Sequence, residues 1–135
     1  MNIEIRYYKD SDLDSVNEIL EEAFQVEKEN FKGEEFCEIV AVTEEMVVGY
    51  LLLTKVYNPI GKKNIYYVDY VCVDSEYRRH NIGKKLLEFA YQEAKIQGGD
   101  YLQLTCSRFR AAAHKLYDSC DFVMRDSDIY RKDII

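Results

Sequence analysis

One segment of the sequence restricts the possible folds more than any other. Residues 64–74 read NIYYVDYVCVD, a β-branched and aromatic stretch that predicts a strand. An amphipathic helix is predicted to follow, and residues 101–106 (YLQLTC) predict the next strand. A strand, a helix and a strand in this order imply a parallel pair joined by a right-handed crossover. The buried face of the helix is predicted to consist of Leu86, Leu87, Ala90, Tyr91 and Ala94.

The rest of the chain predicts antiparallel neighbours for that unit. Two strands joined by a tight turn at EEM predict a hairpin, and residues 26–37 fit either a short helix or a loop. The predicted fold class is α/β: a mixed, mostly antiparallel sheet with helices on both faces, in a single domain of residues 1–135. Further strands are predicted at 3–8, 38–43 and 47–57, helices at 11–24 and 110–120, and a final pair of short strands after residue 120.

Charge is unevenly distributed along the sequence. The formal net charge is −7, and residues 10–45 alone carry 13 acidic and 2 basic side chains. A nucleic-acid-binding protein would show a basic footprint, so we predict no nucleic-acid partner. The acidic segment has two interpretations: a surface that attracts cations, or the solvated face of a helix.

Cysteine spacing and hydropathy argue against a metal-binding protein and against a membrane protein. Cys37, Cys72, Cys106 and Cys120 are scattered, and because zinc sites need clustered ligands we predict no metal site. No apolar run approaches the roughly 20 residues that a membrane span needs. The first residues, MNIEIRYYKD, lack the pattern of a signal peptide. We therefore expect a cytoplasmic protein with reduced thiols and no membrane partner.

A basic turn separates the strand at 64–74 from the helix. It reads DSEYRRHN, and Gly83 follows at the start of the helix. The first N–H groups of a helix have no internal partner and accommodate phosphate well. Arg78 and Arg79 add fork-shaped donors, and Gly83 lets a ligand approach the backbone. A P-loop is excluded because arginine stands where its first glycine would be. The turn fits an anion site, or an ordinary structural turn.

Two segments carry a resemblance to a known family. VCVDSEYRRHNIGKKLL resembles the acetyl-CoA-binding segment of the GNAT superfamily of N-acetyltransferases, whose pattern Q/R-x-x-G-x-G/A reads here Arg78-x-x-Asn81-x-Gly83. RAAAHKLYDSCDF resembles the family's R-x-x-A-x-x-x-Y-x-x-x-G-F pattern, in the form of the branch related to aminoglycoside acetyltransferases. Asn81 and Asp121 stand where the family has glycines, and asparagine tolerates the left-handed conformation. The resemblance implies the GNAT fold, with one splayed parallel strand pair.

The resemblance also implies acetyl-CoA as co-substrate and direct attack by an amine, without an acyl-enzyme. Cys72 and Cys106 are then structural thiols rather than nucleophiles. The backbone of Val71, Cys72 and Val73 would pair with the pantetheine arm. The other residues implied in co-substrate binding are Arg78, Arg79, His80, Asn81, Ile82, Gly83, Lys84 and Arg110.

Two catalytic residues are predicted with their alternatives. Tyr117 matches the family tyrosine that protonates the departing thiolate, although its helix spacing also fits a core aromatic. Asp69 is the candidate base, since a carboxylate in an apolar, aromatic strand needs a reason. Its alternative is a strand-end residue paired with a lysine or an arginine. Tyr66, Tyr67 and Tyr70 are candidates for lining the acceptor pocket.

The predicted function is acetyl-CoA-dependent N-acetyl transfer to a primary amine of a small cationic or peptide acceptor. The acidic segment favours a cationic acceptor. The alternative is a non-catalytic acyl-CoA-binding regulatory module on the same fold. A homodimer is compatible with either function.

Overall fold

A five-stranded sheet runs through the computed structural model, which describes residues 1–135. Its strands are β1 (Glu4–Tyr7), β2 (Phe36–Thr43), β3 (Met46–Asn58), β4 (Lys63–Val73) and β5 (Tyr101–Gln103). They are ordered as they occur in the chain, and only β4 and β5 are parallel. The helices are α1 (Leu13–Phe24), α2 (Ile82–Ile96) and α3 (Ala111–Ser119), with 3₁₀ turns at Asp10–Asp12 and Ser75–Tyr77. The predicted mixed sheet with one parallel pair is confirmed.

The sheet is covered by helices on both faces because side chains alternate along its strands. Val40 and Tyr50 pack in a cluster with α1. Their neighbours Ile39 and Leu51 pack in a second, larger cluster with α2. This alternation gives the sheet two separate apolar layers, as expected for helices on opposite faces.

A β-bulge interrupts β4 where it passes β3. Tyr50 pairs with Cys72 and Leu52 with Asp69, so Tyr70 and Val71 together oppose the single residue between Tyr50 and Leu52. Tyr70 has a left-handed φ of 55°. The extra residue exchanges the two faces of the strand, because Val68 packs with α2 whereas Cys72 packs with α1. Bulges of this kind redirect side chains and are common beside active sites.

The structure corrects the predicted buried face of α2. Tyr91 is 55% exposed, whereas Ile82 is buried. Ile82 lies one turn before Leu86 and extends the apolar stripe, while Tyr91 lies at the margin of the helix face that contacts the sheet.

Two further predictions concern the segment between α1 and β2 and the residues after α3. The segment between α1 and β2 is a loop, because the Asn17 side chain accepts a hydrogen bond from the Lys28 N–H (2.7 Å) and donates one to the Lys28 carbonyl (3.0 Å). These contacts take the place of helical hydrogen bonds. The final pair of strands is wrong: residues after α3 form no strand, and Val123 and Met124 are exposed. Alternating charges after Met124 leave that segment without a continuous apolar face.

None of the helices combines the length and the apolar character that a membrane crossing requires.

Candidate active site

The parallel strands β4 and β5 separate after a short paired region. Their register joins Ile65 to Tyr101 and Tyr67 to Gln103, where β5 ends. β4 continues to Val73 with no strand beside it on that edge. An unpaired strand edge presents free N–H and C=O groups to an extended ligand. The predicted splay is therefore present, and it leaves Val71, Cys72 and Val73 available on their outer edge.

A cavity of about 250 Å³ lies at this separation. It is formed by the end of α1, the bulge of β4, the segment after β5 and the first turns of α3. It brings together Asp69 and Tyr117, the two residues predicted to be catalytic, and it adds Arg110. The complete lining is Phe24, Val68, Asp69, Tyr70, Val71, Thr105, Arg110 and Tyr117.

Tyr117 is partly buried beside the cavity. Its ring packs edge to face against Phe122, with 5.8 Å between centroids. Burial raises the pKa of the Tyr117 phenol above its ordinary value of 10.0, Cys106 raises this pKa further, and the positive charge of Arg110 opposes the change. The phenol therefore carries its proton throughout the neutral range, as a proton donor must.

Asp69 directly precedes Tyr70 of the bulge, and Asp69 is exposed at the cavity. The four ion pairs of the protein are Arg6–Asp12, Lys28–Glu38, Arg108–Asp128 and Arg131–Asp133, so none involves Asp69. The alternative role of a strand-end carboxylate paired with a basic side chain is thus not the arrangement found. The Asp69 carboxylate is free to accept a proton or to bind a cation.

The basic turn presents a row of unused backbone donors. None of the N–H groups from Arg78 to Lys84 donates a hydrogen bond within the protein; Lys85 is the first to do so, to the Asn81 carbonyl at 3.0 Å. Arg79 and Asn81 have left-handed φ values of 68° and 60°. Arg78 before them is extended. The unpaired N–H groups and the two arginine side chains together suit an anion. The predicted tolerance of Asn81 for this conformation is confirmed.

Gly83 has a structural role that its sequence motif did not reveal. A Cβ at this position would lie 3.1 Å from Cδ2 of Leu116, closer than most real contacts. The missing side chain thus allows α2 to approach α3. A side chain here would have to push the end of Leu116 aside by a few tenths of an ångström, so glycine favours this packing whatever it contributes to ligand access.

A second cavity, of about 240 Å³, is unsuited to phosphate. It lies between α1 and the turn after β4, where Glu22 accepts hydrogen bonds from the N–H and the hydroxyl of Ser75, each at 3.0 Å. Acidic side chains dominate it and would repel an anion. Its lining is Glu18, Ile19, Glu22, Asp74, Ser75 and Glu76.

The structure also gives the positions of the remaining cysteine, histidine and tyrosine candidates. Burial raises the pKa of the Cys72 thiol to about 12, so Cys72 is not a thiolate at neutral pH. A ring nitrogen of His114 lies 2.9 Å from the Ser107 carbonyl. Of the three neighbouring tyrosines, Tyr70 lines the cavity, while Tyr66 is buried with α2.

Sequence reasoning missed Phe24. It ends the apolar stripe of α1, so its pattern indicates a core residue. In the structure its ring packs edge to face on Tyr70 at 5.4 Å, and the Arg110 guanidinium carbon lies 5.6 Å from its centroid. Only the tertiary fold brings these three residues together.

Comparison with known proteins identifies the family of the chain. The family described as "Acetyltransferase (GNAT) family" matches residues 2–122. The chain belongs to the GNAT family of acetyltransferases.

Individual relatives agree with the family. Human N-acetyltransferase 8 is 34% identical over 86 residues, which is 64% of this chain and 38% of that protein. N-acetyltransferase family 8 member 3 of Rattus norvegicus is 30% identical over the same shares. The chain thus spans well under half the length of these curated relatives.

Among solved structures, AAC(6')-Iy in complex with the bisubstrate analogue CoA-S-monomethyl-acetylneamine superposes with a TM-score of 0.88 at 10% identity, covering 100% of both chains. An aminoglycoside acetyltransferase from an uncultured soil metagenomic sample gives a TM-score of 0.84 at 18% identity, over 98% of this chain and 96% of the other. At these identities the likeness shows a shared fold.

Proposed function

We propose that this GNAT protein is an acetyl-CoA-dependent N-acetyltransferase that transfers the acetyl group directly to a primary amine of a small cationic or peptide acceptor. The observation that carries the proposal is the cavity at the separation of β4 and β5, which places a free carboxylate, Asp69, and a protonated phenol, Tyr117, around one space. Aminolysis of a thioester needs both a proton acceptor and a proton donor.

The basic turn and the free edge of β4 would hold acetyl-CoA, which would supply the acetyl group as a thioester. The unpaired N–H groups from Arg78 to Lys84, with the side chains of Arg78 and Arg79, would hold the pyrophosphate. The free edge of β4 at Val71 to Val73 would pair with the pantetheine arm. Val71 also lines the cavity, so an arm on this edge would lead towards Asp69 and Tyr117.

The two catalytic residues have complementary roles. Asp69 accepts a proton from the acceptor ammonium, directly or through water, and leaves a neutral amine. The amine nitrogen forms the new C–N bond as the C–S bond breaks. Tyr117 gives its proton to the departing sulfur, while the nitrogen loses its second proton through solvent and the phenolate regains one. No cysteine is needed, in agreement with the raised pKa of the Cys72 thiol.

The loop between α1 and β2 would contribute to acceptor choice. Its last residues precede Phe36, which pairs with Thr54, which in turn pairs with Tyr67, two residues before Asp69. The loop is fixed by Lys28, whose Nζ lies 3.1 Å from Glu38 Oε2 and 4.2 Å from the centre of the Tyr8 ring. The loop therefore leads into strands that pair, one after the other, up to the strand of Asp69. None of its exposed glutamates lines the cavity.

A direct experiment separates catalysis from the alternative of a non-catalytic acyl-CoA-binding module. Thiol release from acetyl-CoA is measured across a panel of polyamines, aminoglycosides, amino acids and peptides, beside calorimetric binding of acetyl-CoA. The proposal expects amine-dependent release that Asp69→Asn lowers about 10²–10⁴-fold, the usual contribution of a positioned base. Tight acetyl-CoA binding without release for any amine would favour the regulatory module.

A further inference from the structure

The cavity contains two opposite charges without partners. Asp69 and Arg110 both line it, and neither belongs to any of the four ion pairs of the protein. Neither side chain makes a hydrogen bond within the protein; the only polar contact of Arg110 inside the fold is through its backbone, to Ser107 and His114. A cavity that offers one free carboxylate and one free guanidinium is complementary to a ligand that carries both charges.

Arg110 contacts an aromatic ring without using its hydrogen-bond donors. Its guanidinium carbon lies 5.6 Å from the centre of the Phe24 ring, and Phe24 is itself packed on Tyr70 at the bulge. A cation–π contact of this kind leaves the guanidinium N–H groups free to bind a ligand. An arginine arranged in this way is suited to bidentate binding of a carboxylate.

Arg110 also occupies a position where a cation does not favour folding. It is the N-cap of α3 and makes no side-chain cap bond. Ser, Thr, Asp and Asn are preferred at an N-cap, and a positive charge is unfavourable at the positive end of a helix. The N–H groups of Ala111, Ala112 and Ala113 donate no hydrogen bond either. An anion bound to Arg110 would neutralise this accumulation of positive charge.

We propose that the acceptor carries a carboxylate close to its amine, as a free amino acid does. The carboxylate binds Arg110, and the ammonium faces Asp69. This inference rests on the proposed N-acetyltransferase function and narrows its acceptor class. It assigns Arg110 to the acceptor rather than to acetyl-CoA, which is the role that the family resemblance implies.

The proposed binding mode fits the acetyl-transfer step. The ammonium gives one proton to Asp69, and the resulting amine attacks the thioester carbon. The C–S bond breaks, sulfur takes the proton of Tyr117, and the second nitrogen proton leaves through solvent, from which the phenolate regains its own. The product keeps its carboxylate but has lost the positive charge that faced Asp69. It therefore binds the cavity with one electrostatic contact fewer, which favours its release.

The test uses acceptors that differ only in the carboxylate. L-alanine, L-phenylalanine and L-lysine are each compared with their carboxamides in the thiol-release assay. We expect kcat/KM for at least one free acid to exceed that of its amide by about 10–100-fold, the contribution of hydrogen bonds to a charged group. Arg110→Gln should reduce this acid-to-amide ratio to near one. Arg108→Gln is the matched control, because Arg108 is exposed, pairs with Asp128 and lies outside the cavity.

Three outcomes overturn the inference; the first two leave the proposed function intact, and the third would also change its acyl donor. The amides, or amines without any carboxylate, are the better acceptors. Arg110→Gln lowers acetyl-CoA affinity and leaves the acid-to-amide ratio unchanged, which would return Arg110 to the co-substrate. Succinyl-CoA replaces acetyl-CoA with a gain that depends on Arg110, which would assign the carboxylate to the acyl group.

A binding measurement covers the case in which no amine is acetylated. With CoA present, calorimetry compares N-acetyl-L-phenylalanine with N-acetyl-L-phenylalaninamide. Tighter binding of the acid that is lost in Arg110→Gln supports the carboxylate site even if the catalytic proposal fails. Equal binding of the two compounds overturns it.

Discussion

Gly83 at the start of α2 faces Leu116 of α3 so closely that a Cβ on the glycine would lie 3.1 Å from Cδ2 of the leucine. Leu116 directly precedes Tyr117, and Gly83 follows the basic turn, two residues after Asn81. The basic turn and the candidate proton donor therefore share one helix contact. A change in this contact should be transmitted to both halves of the site.

The first prediction concerns this contact. Gly83→Val should destabilise the protein, because its Cβ and methyl groups must displace Leu116. In a Leu116→Ala background the same substitution should cost at least about 1 kcal/mol less, a typical coupling between residues in contact. Urea unfolding of the four proteins measures this coupling. Lys85→Val, on the same turn but exposed, controls for the helix propensity of valine. Additive effects at Gly83 and Leu116 would contradict the packing role.

The second prediction concerns Asp121, which stands where the family has glycine. It follows α3 with a left-handed φ of 65°, a conformation that costs most residues roughly 1–2 kcal/mol and glycine almost nothing. Asp121→Gly should therefore raise the free energy of unfolding by about 0.5–1 kcal/mol, with unchanged acetyl-CoA binding.

Asp118→Gly is the matched control for this change. Asp118 is exposed inside α3, where glycine should lower the free energy of unfolding by about 0.5–1 kcal/mol. Thermal melts of the two variants should move in opposite directions. Movement in the same direction would mean that the left-handed turn is not what distinguishes the two sites.

The main elements of this fold could be predicted because their signals are local. Alternating apolar residues indicate the strands, and the succession of β4, α2 and β5 requires a parallel pair. The bulge at Tyr70 could not be predicted, because it arises from the register of β4 against β3 rather than from any residue preference. Tyr91 was misplaced for a related reason: the sheet, not the helix, decides how wide the buried face of α2 is.

The residues of the candidate site also divide into those that the sequence indicates and those that only the fold brings together. The sequence indicates Asp69 and Tyr117 because a carboxylate in an apolar strand and a tyrosine in a family motif are unusual, and both line the cavity. Phe24 carries no such signal, since its role depends on the Arg110 and Tyr70 side chains that the fold brings to it. The sequence motif indicates Gly83 as a point of ligand approach, but the Leu116 side chain that it faces lies 33 positions away in the chain.

The third prediction concerns stability at alkaline pH. Burial raises the pKa of the Cys72 thiol from 9.0 to about 12. The unfolded chain releases this proton above pH 9 while the folded protein keeps it, so Cys72 contributes stability that is lost as pH rises from 9 towards 12. The free energy of unfolding should fall between pH 9 and 10.5, and Cys72→Ala should remove up to about 1.4 kcal/mol per pH unit of that slope.

The slope, not the absolute stability, is the measurement for Cys72, because alanine also leaves a small cavity. Cys106→Ala removes a less buried thiol and serves as the control. An identical pH slope in wild type and Cys72→Ala would show that this thiol does not titrate differently on unfolding.

The fourth prediction concerns the acidic loop before β2. Neutralising Glu34 and Glu35 to glutamine should raise KM for a polyamine acceptor several-fold at low salt, and the effect should fade near 1 M salt, where the Debye length is about 3 Å. Glu44 and Glu45, at the other end of β2, provide a control with the same loss of charge. KM for acetyl-CoA should not change in the Glu34/Glu35 variant. Equal effects of the two pairs would mean that only net charge matters.

The last prediction concerns Tyr117. Tyr117→Phe keeps the ring that packs on Phe122 and removes one hydroxyl, so stability should change little. If the phenol protonates the departing sulfur, kcat should fall about 10²–10⁴-fold while acetyl-CoA binding persists, because the hydroxyl acts mainly as charge develops on sulfur. Burial raises the pKa of Tyr117 above 10.0, so the wild-type rate should decline at alkaline pH, and at a higher pH than an ordinary phenol would cause. That decline should be absent in the variant.

Tyr91→Phe is the control for this experiment, since Tyr91 is 55% exposed on α2 and outside the cavity. It should match the wild type at every pH. Suppose instead that Tyr117→Phe stays within about threefold of wild type, against the 10²–10⁴-fold loss of a missing acid. The phenol would then be a packing residue of α3, and solvent entering the open cavity would protonate the sulfur. A fall in kcat with an altered pH profile would therefore assign Tyr117 to the chemistry. An unchanged kcat would assign it only to the fold.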